Sequence, residues 1–465
     1  MLRTMADEAK RSEPSLRKAL GVFDGIAILI GITIGAGIYS TPQIIASYLS
    51  SFSLILLLWI LAGVFVFISG LIYAELGTRM PNTGGEYVYI SRCFGPYIGF
   101  MFGWAQLFII RTSAAAALAL IVADYLGHFF TLNRAHRIFV ALAVIFLFGV
   151  LNYIGIQRAS VFQKLSTILK AGALLSIVIF GFVFSGGHEN LLFTRAAPEG
   201  GLDPLRCVVA ALMLIIFSHT GWERVGYSAG EMKNPRRVIP VSLVFGIGIV
   251  VLLYALTNMT YHRVLGMDGM RESTIVASDV LTVLIGPIGA ALIAVLVIIS
   301  ATGSINGTMM TATRAYYAMA KDRLFFKWLD HVHSRFRTPS RAIVAHCLWA
   351  GAILIIRGTF ETIAAGLAFA ILIFYGLSTL ALFKMRRDRI GGTNVFRVPL
   401  YPFLPLLSLF LIIGLIILRV LFFWQQSLVD LAFILTGIPF AFYWCRKRGA
   451  STRMNTKNSK IKYPI

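Results

Sequence analysis

The sequence predicts an all-α integral membrane protein with about twelve transmembrane helices. Ten of these form a five-plus-five inverted repeat in which helices 1 and 6 are broken. Three observations carry this expectation. The first is composition: of 465 residues, 58% are hydrophobic and only 13% charged, with a mean hydropathy of +0.80. Soluble domains run nearer 45–50% apolar and about 25% charged. The second is the recurrence of apolar runs near the length of about 20 residues that a bilayer-crossing helix needs. The third is that two of these runs, five spans apart, are interrupted by glycine and small polar residues.

In order, the expected spans are 22–50, 53–76, 95–126, 137–155, 160–185, 205–229, 239–261, 283–318, 341–357, 360–383, 400–421 and 427–445. They are referred to below as spans 1 to 12. Their length, and the absence of strict alternation, favours helices over a membrane β-barrel. An even number places both termini on one side. Putting that side in the cytoplasm assigns 30 of the 42 Lys and Arg to inner segments and 7 to outer ones, with 5 in or near spans. That asymmetry is the positive-inside pattern, and it makes the net charge of +22 a topological signal rather than a nucleic-acid-binding one. The polar, basic first 20 residues lack the apolar core and cleavage site of a signal peptide. The cysteines (Cys93, Cys207, Cys347 and Cys445) are far apart, without CxxC or a neighbouring His–Cys cluster, so neither a disulfide scaffold nor a zinc site is expected. The expected organisation is a tail (1–20), a ten-helix core (21–383), helices 11 and 12 with their preceding loop (384–445), and a basic tail (446–465) with some affinity for anionic lipid.

Span 1 is helix-compatible from Val22 to Thr33, then reads Ile34-Gly35-Ala36-Gly37-Ile38 and continues past Pro42. Span 6 is apolar to Phe217, meets Ser218-His219-Thr220-Gly221, and resumes. Interrupted segments at matching positions of two halves are the best sequence pointer to a transporter site. Because five is odd, the second half enters the membrane inverted. A half-helix N-terminus presents unpaired N–H groups and a half-helix C-terminus presents free carbonyls. Gly35, Ala36 and Gly37 can thus hold a carboxylate on backbone N–H groups. Carbonyls near Ile32, Thr33, Phe217, Ser218 and Thr220 can take an ammonium. Such a site suits a zwitterion, and an α-amino acid is the obvious small one.

Several segments resemble the amino acid–polyamine–organocation superfamily. They are Ile30-Gly-Ile-Thr-Ile-Gly-Ala-Gly-Ile-Tyr-Ser-Thr-Pro42, Tyr73-Ala-Glu-Leu-Gly-Thr-Arg-Met-Pro-Asn-Thr-Gly-Gly-Glu-Tyr-Val-Tyr89, Phe94-Gly-Pro-Tyr-Ile-Gly-Phe-Met-Phe-Gly-Trp104, Phe217-Ser-His-Thr-Gly-Trp222, Glu231-Met-Lys-Asn-Pro-Arg-Arg-Val-Ile-Pro240, and Gly303-Ser-Ile-Asn-Gly307 leading to Ala318-Met-Ala-Lys-Asp322. Together they cover about residues 20–400, most strongly resembling the L-type amino acid transporter branch and its bacterial relatives. The resemblance implies a leucine-transporter-type fold and amino acid movement without sodium, often by exchange. It implies that Gly35-Ala36-Gly37 binds the substrate carboxylate, with Ala36 where the family usually has Ser. Phe217 is implied as an aromatic gate, with substrate-binding carbonyls around Ser218 and Thr220, and His219 stands where Tyr is common. Gln163, Thr167 and Lys170 match a fifth-helix pattern in which the lysine takes a sodium ion's place near the serine matched by Ser304.

Lys170 lies about ten residues into span 5, or about 15 Å at 1.5 Å per residue. A lysine at that depth costs about 2.5–3.5 kcal/mol on insertion scales and should face the protein interior. It either ties helices 1, 5 and 8 together or, in addition, takes part in switching. Arg111, also mid-span, either meets an acidic substrate, since its fixed fork suits carboxylates, or pairs internally with Glu223; the pair is favoured, and with it small neutral substrates. His219 is expected to fill the break as a hydrogen-bonded side chain rather than titrate. Glu75, Glu86 and Glu231 flank helix ends and are expected to form salt bridges.

No P-loop, Ser-His-Asp set or HExxH motif occurs, so ATP-driven transport and enzyme catalysis have no support, and no catalytic residue, cofactor or metal is expected. The expected function is a sodium-independent amino acid exchanger. Its alternatives are a proton-coupled importer, an anionic amino acid exchanger, and a transporter-like sensor, which typically carries a long soluble extension. The cysteine that links animal members of the family to a single-span partner should lie between spans 3 and 4, and residues 127–136 contain none. The expected partners are therefore an amino acid and the lipid bilayer of a cell membrane, bacterial by preference, with no nucleic acid and no disulfide-linked subunit.

Overall fold

The computed structural model describes residues 18–446 apart from residues 36, 128, 185–202, 274, 287, 358, 359 and 393. Ala36 and nearly all of both expected tails lie outside the described residues. Ten helices among the described residues are long and apolar enough to cross a membrane. Span 1 is not among them because it breaks into Val22–Thr33, Gly37–Ser40 and Pro42–Tyr48. Span 9 is a shorter helix, Ser340–Arg357. With these two, the twelve expected spans are all present as helical segments, and the fold is that of a multi-pass membrane protein.

The helix contacts follow a shift of five. Span 1 packs on span 5 as span 6 packs on span 10, and span 1 on span 7 as span 6 on span 2. Span 5 meets span 8 as span 10 meets span 3, while span 4 packs on spans 3 and 8 as span 9 packs on spans 8 and 3. The pairs 2 with 7, 3 with 8 and 4 with 9 map onto themselves. An odd repeat of alternating helices necessarily inverts, so this network is the inverted repeat expressed in packing. Spans 11 (Phe403–Phe422) and 12 (Trp424–Arg446) stand outside it, packed against span 10 with their outer faces bare.

Three local features depart from a plain reading of hydropathy. Short helices Glu86–Phe94 and Val276–Ile285 precede spans 3 and 8, and they too are five-shift mates, each packed on the span that follows. The second ends at Gly286, whose φ of 75° suits glycine and which precedes Pro287 in sequence, a residue that disfavours helix before it. Span 7 begins at Pro235 and runs past its expected end to Gly266, whose φ of 69° breaks the helix before it resumes to Glu272. Span 3 contains a π turn, Gln106–Ile110, directly before Arg111; such turns mark inserted residues in a helix and recur at functional places.

Candidate functional site

The first break leaves carbonyls at the end of a half-helix. Ile34 N–H still reaches Ile30 O (2.8 Å), Gly35 N–H turns back to Thr33 O (2.8 Å), and helix resumes at Gly37. Lys170 supplies what the missing helical N–H groups do not. Its Nζ, fully buried, donates to Gly31 O (2.6 Å), Ile34 O (2.8 Å) and Ser300 O (2.8 Å), and lies 3.3 Å from Ser304 Oγ. An ammonium has three donors, so the three carbonyls satisfy it. Ser304 Oγ is in turn 3.2 Å from Gly31 O and 3.4 Å from Ile32 O, and Ser300 Oγ donates to Ile34 O at 3.1 Å. Thr167 donates to Ala27 O (2.8 Å), and Asn306 donates to Gln163 Oε1 (2.9 Å). A Cβ on Gly31 would sit 2.1 Å from Gln163 Nε2, so the glycine is what lets span 5 approach this closely.

Span 6 breaks beside the first break. Pro204–Ser218 ends with Thr220 donating from both N–H (3.0 Å) and Oγ1 (2.7 Å) to Phe217 O. Gly221, at φ 120°, turns the chain into a 3-10 helix, Trp222–Glu231. The two breaks touch through glycines: a Cβ on Gly37 would lie 2.9 Å from Ser218 Cα, and one on Gly221 would lie 3.1 Å from Thr33 N. Tyr254 of span 7 bridges the seam, its hydroxyl 2.8 Å from Thr33 O and 3.2 Å from Ser218 O. Thr41 Oγ1 and Ser218 Oγ are 3.1 Å apart. His219 is buried, its Nδ1 2.9 Å from Ile215 O and its ring packed near Trp59 and Tyr254.

Between the breaks lies a cavity of about 60 Å³, walled by Ile32, Thr33, Gly35, Gly37, Phe217, Ser218, Thr220 and Ser304, and by Ala114, Ala117, Leu118, Arg224, Thr308 and Leu367. The first eight are residues that the sequence singles out. Lys170 is behind this wall, holding the break from span 5. Arg111 is off the wall as well. The remaining six escape sequence reasoning. Arg224 arrives because the 3-10 winding after Gly221 carries it back to the cavity. Thr308 lies one turn beyond Ser304 on span 8, a spacing that puts both on one helix face.

Arg111 lies in a buried ionic cluster beside the cavity. Its Nη1 is 3.0 Å from Glu223 Oε1, its Nη2 is 3.8 Å from Glu86 Oε2, and its guanidinium lies over the Tyr227 ring. Glu223 also accepts from Gly221 N–H (2.8 Å) and Tyr375 OH (3.1 Å), and Glu86 from Tyr73 OH (2.5 Å) and Tyr227 OH (2.6 Å). Arg224 completes the cluster, with Nε 3.4 Å from Glu223 Oε1 and Nη1 donating to Thr308 Oγ1. Two carboxylates thus face two guanidiniums in four buried side chains. Glu75 is held by Arg79, by Arg386 and by Val398 N–H (2.7 Å), and Glu231 is held bidentately by Arg314 at 2.8 and 3.1 Å. Glu86 differs from this pair: its partners are interior tyrosines and, at longer range, Arg111.

A broken-helix inverted repeat enclosing a small cavity at its breaks defines the molecule as a secondary transporter by architecture. The amino acid permease family model matches residues 20–443, and the chain belongs to this family. It is 31% identical to the serine/threonine exchanger SteT of Bacillus subtilis (strain 168), over 94% of this chain and 98% of that protein. It is 30% identical to the human b(0,+)-type amino acid transporter 1, over 92% and 88% of the two chains, and 28% identical to the human cystine/glutamate transporter, over 92% and 85%. Within the family its similarity thus runs to the L-type branch and its bacterial relatives, and amino acid transport is the activity that fold, cavity and relatives share.

Proposed function

We propose that this chain exchanges small neutral amino acids across a bacterial cell membrane, without sodium, by alternating access around the cavity, with both termini cytoplasmic. The observation that carries the reading is the environment of Lys170. Its ammonium takes the carbonyls of Gly31, Ile34 and Ser300, oxygens that would otherwise be free for a coupling cation. A second positive charge there would meet a fixed one in low dielectric.

The substrate reading rests on size and on backbone chemistry. At about 10–15 Å³ for each water-sized occupant, the cavity of about 60 Å³ suits a ligand of few heavy atoms. Gly35 and Gly37, with Ala36 between them in sequence, are the proposed carboxylate ligands, Gly35 once its N–H leaves Thr33 O, and carbonyls near Ile32, Thr33, Phe217, Ser218 and Thr220 the proposed ammonium acceptors. The exchange reading is supported by the relative named as a serine/threonine exchanger.

The test is uptake of labelled serine and alanine into proteoliposomes. Rates should be unchanged when choline replaces sodium and should rise several-fold when the lumen is preloaded with unlabelled amino acid. Uptake that stops in choline, or that needs a proton gradient and ignores preloading, would overturn the reading.

A further inference from the structure

Arg224 presents a hydrogen-bond donor to the cavity, and nothing in the ionic cluster explains it. Its Nη1 donates to Thr308 Oγ1, while its Nε faces Glu223 Oε1 at 3.4 Å as an ion pair without a hydrogen bond. Its Nη2 has no partner among the described residues, while the side chain, only 6% exposed, forms part of the cavity wall. Thr308, itself fully buried, accepts from Arg224 Nη1 and so fixes the guanidinium in place. Arg224 therefore brings a guanidinium to a cavity otherwise walled there by Ala114, Ala117, Leu118 and Leu367.

We propose that Arg224, positioned by Thr308 and Glu223, selects small amino acids whose side chain ends in a neutral hydrogen-bond acceptor, a hydroxyl above all. This rests on the transport reading above and deepens it. Charge argues for a neutral acceptor. Glu223 already faces the Arg224 guanidinium at 3.4 Å, so a side-chain carboxylate would set a second negative charge beside Glu223 in low dielectric. Size argues the same way, because the cavity leaves little room beyond the backbone of an amino acid. A hydroxyl oxygen accepts from the guanidinium, whereas a methyl in its place would leave a buried guanidinium donor unsatisfied, and sites of that kind reject the apolar isostere strongly.

The experiment compares inhibition of labelled alanine uptake by serine, by its isostere 2-aminobutyrate and by aspartate in proteoliposomes of the intact protein. Wild type should favour serine over 2-aminobutyrate by about ten- to a hundredfold, the range of one hydrogen bond to a charged group, with aspartate weak. In Arg224→Met that ratio of inhibition constants, which does not depend on the amount of active protein, should fall to within about threefold. Where the lone substitution fails to fold, Arg224→Met with Glu223→Gln keeps the cluster neutral and should give the same collapse. Equal inhibition by serine and 2-aminobutyrate in wild type would overturn the proposal without variants, as would a preference that survives loss of Arg224. Aspartate as the strongest inhibitor would overturn it in favour of an anionic side-chain site. Absence of uptake of any amino acid would overturn the transport reading itself.

Discussion

Lys170 has given up hydration for three carbonyls. Truncation to alanine removes three hydrogen bonds from a charged donor, each worth about 1.5–3 kcal/mol, while Ser304 Oγ stays 3.2 Å from Gly31 O and Ser300 Oγ still donates to Ile34 O. Lys170→Ala should therefore cut exchange by about tenfold or more and lower the melting temperature in detergent; an unaltered initial rate would show that the ammonium plays no part in transport. Gly35 and Gly37 differ in kind, although in sequence both look like carboxylate ligands. A Cβ on Gly37 meets Ser218 Cα at 2.9 Å, whereas one on Gly35 meets the Ser304 hydroxyl at 3.3 Å. Backbone yields less than a side chain, so Gly37→Ala should destabilise the fold by about 1–3 kcal/mol as well as weaken binding. Gly35→Ala should weaken binding with little change in melting temperature. Equal thermal shifts in the two variants would contradict this distinction.

At the scale of elements, the π turn Gln106–Ile110 directly precedes Arg111, whose guanidinium meets Glu223 in the 3-10 segment of span 6. Removing one partner of a buried ion pair costs about 3–5 kcal/mol. Arg111→Ala should thus impair alanine, leucine and glutamate alike, largely through folding, and Glu223→Gln should partly restore it. A loss confined to glutamate would instead make Arg111 a substrate ligand. The pair is legible in the sequence because two opposite charges deep in apolar spans need each other. The breaks are legible for a related reason: glycines and small polar residues interrupt apolar runs at matching places. Arg224 is not legible. Its approach to the cavity depends on the 3-10 winding after Gly221, and hydropathy carries no record of helix pitch. The short helices Glu86–Phe94 and Val276–Ile285 escape a reading by span because each is too short to stand out as one.

At the scale of the molecule, the proposed orientation follows from the distribution of Lys and Arg. With both termini cytoplasmic, a cysteine replacing Arg389 should be shielded from a membrane-impermeant thiol reagent in intact cells, and one replacing Arg134 should react. The reverse pattern would invert the topology. The order of the spans follows from length and hydropathy, whereas the five-shift network of contacts requires coordinates, because hydropathy does not say which helices touch.

The hydroxyl of Tyr254 lies 2.8 Å from Thr33 O and 3.2 Å from Ser218 O, yet it owns a single proton. It can satisfy one half of the molecule fully only by slighting the other. Moving that proton from the first carbonyl to the second trades one bond for another of the same kind, so this one contact ties neither half in preference to the other. Tyr254 is in this sense a clasp with one hook and two eyes.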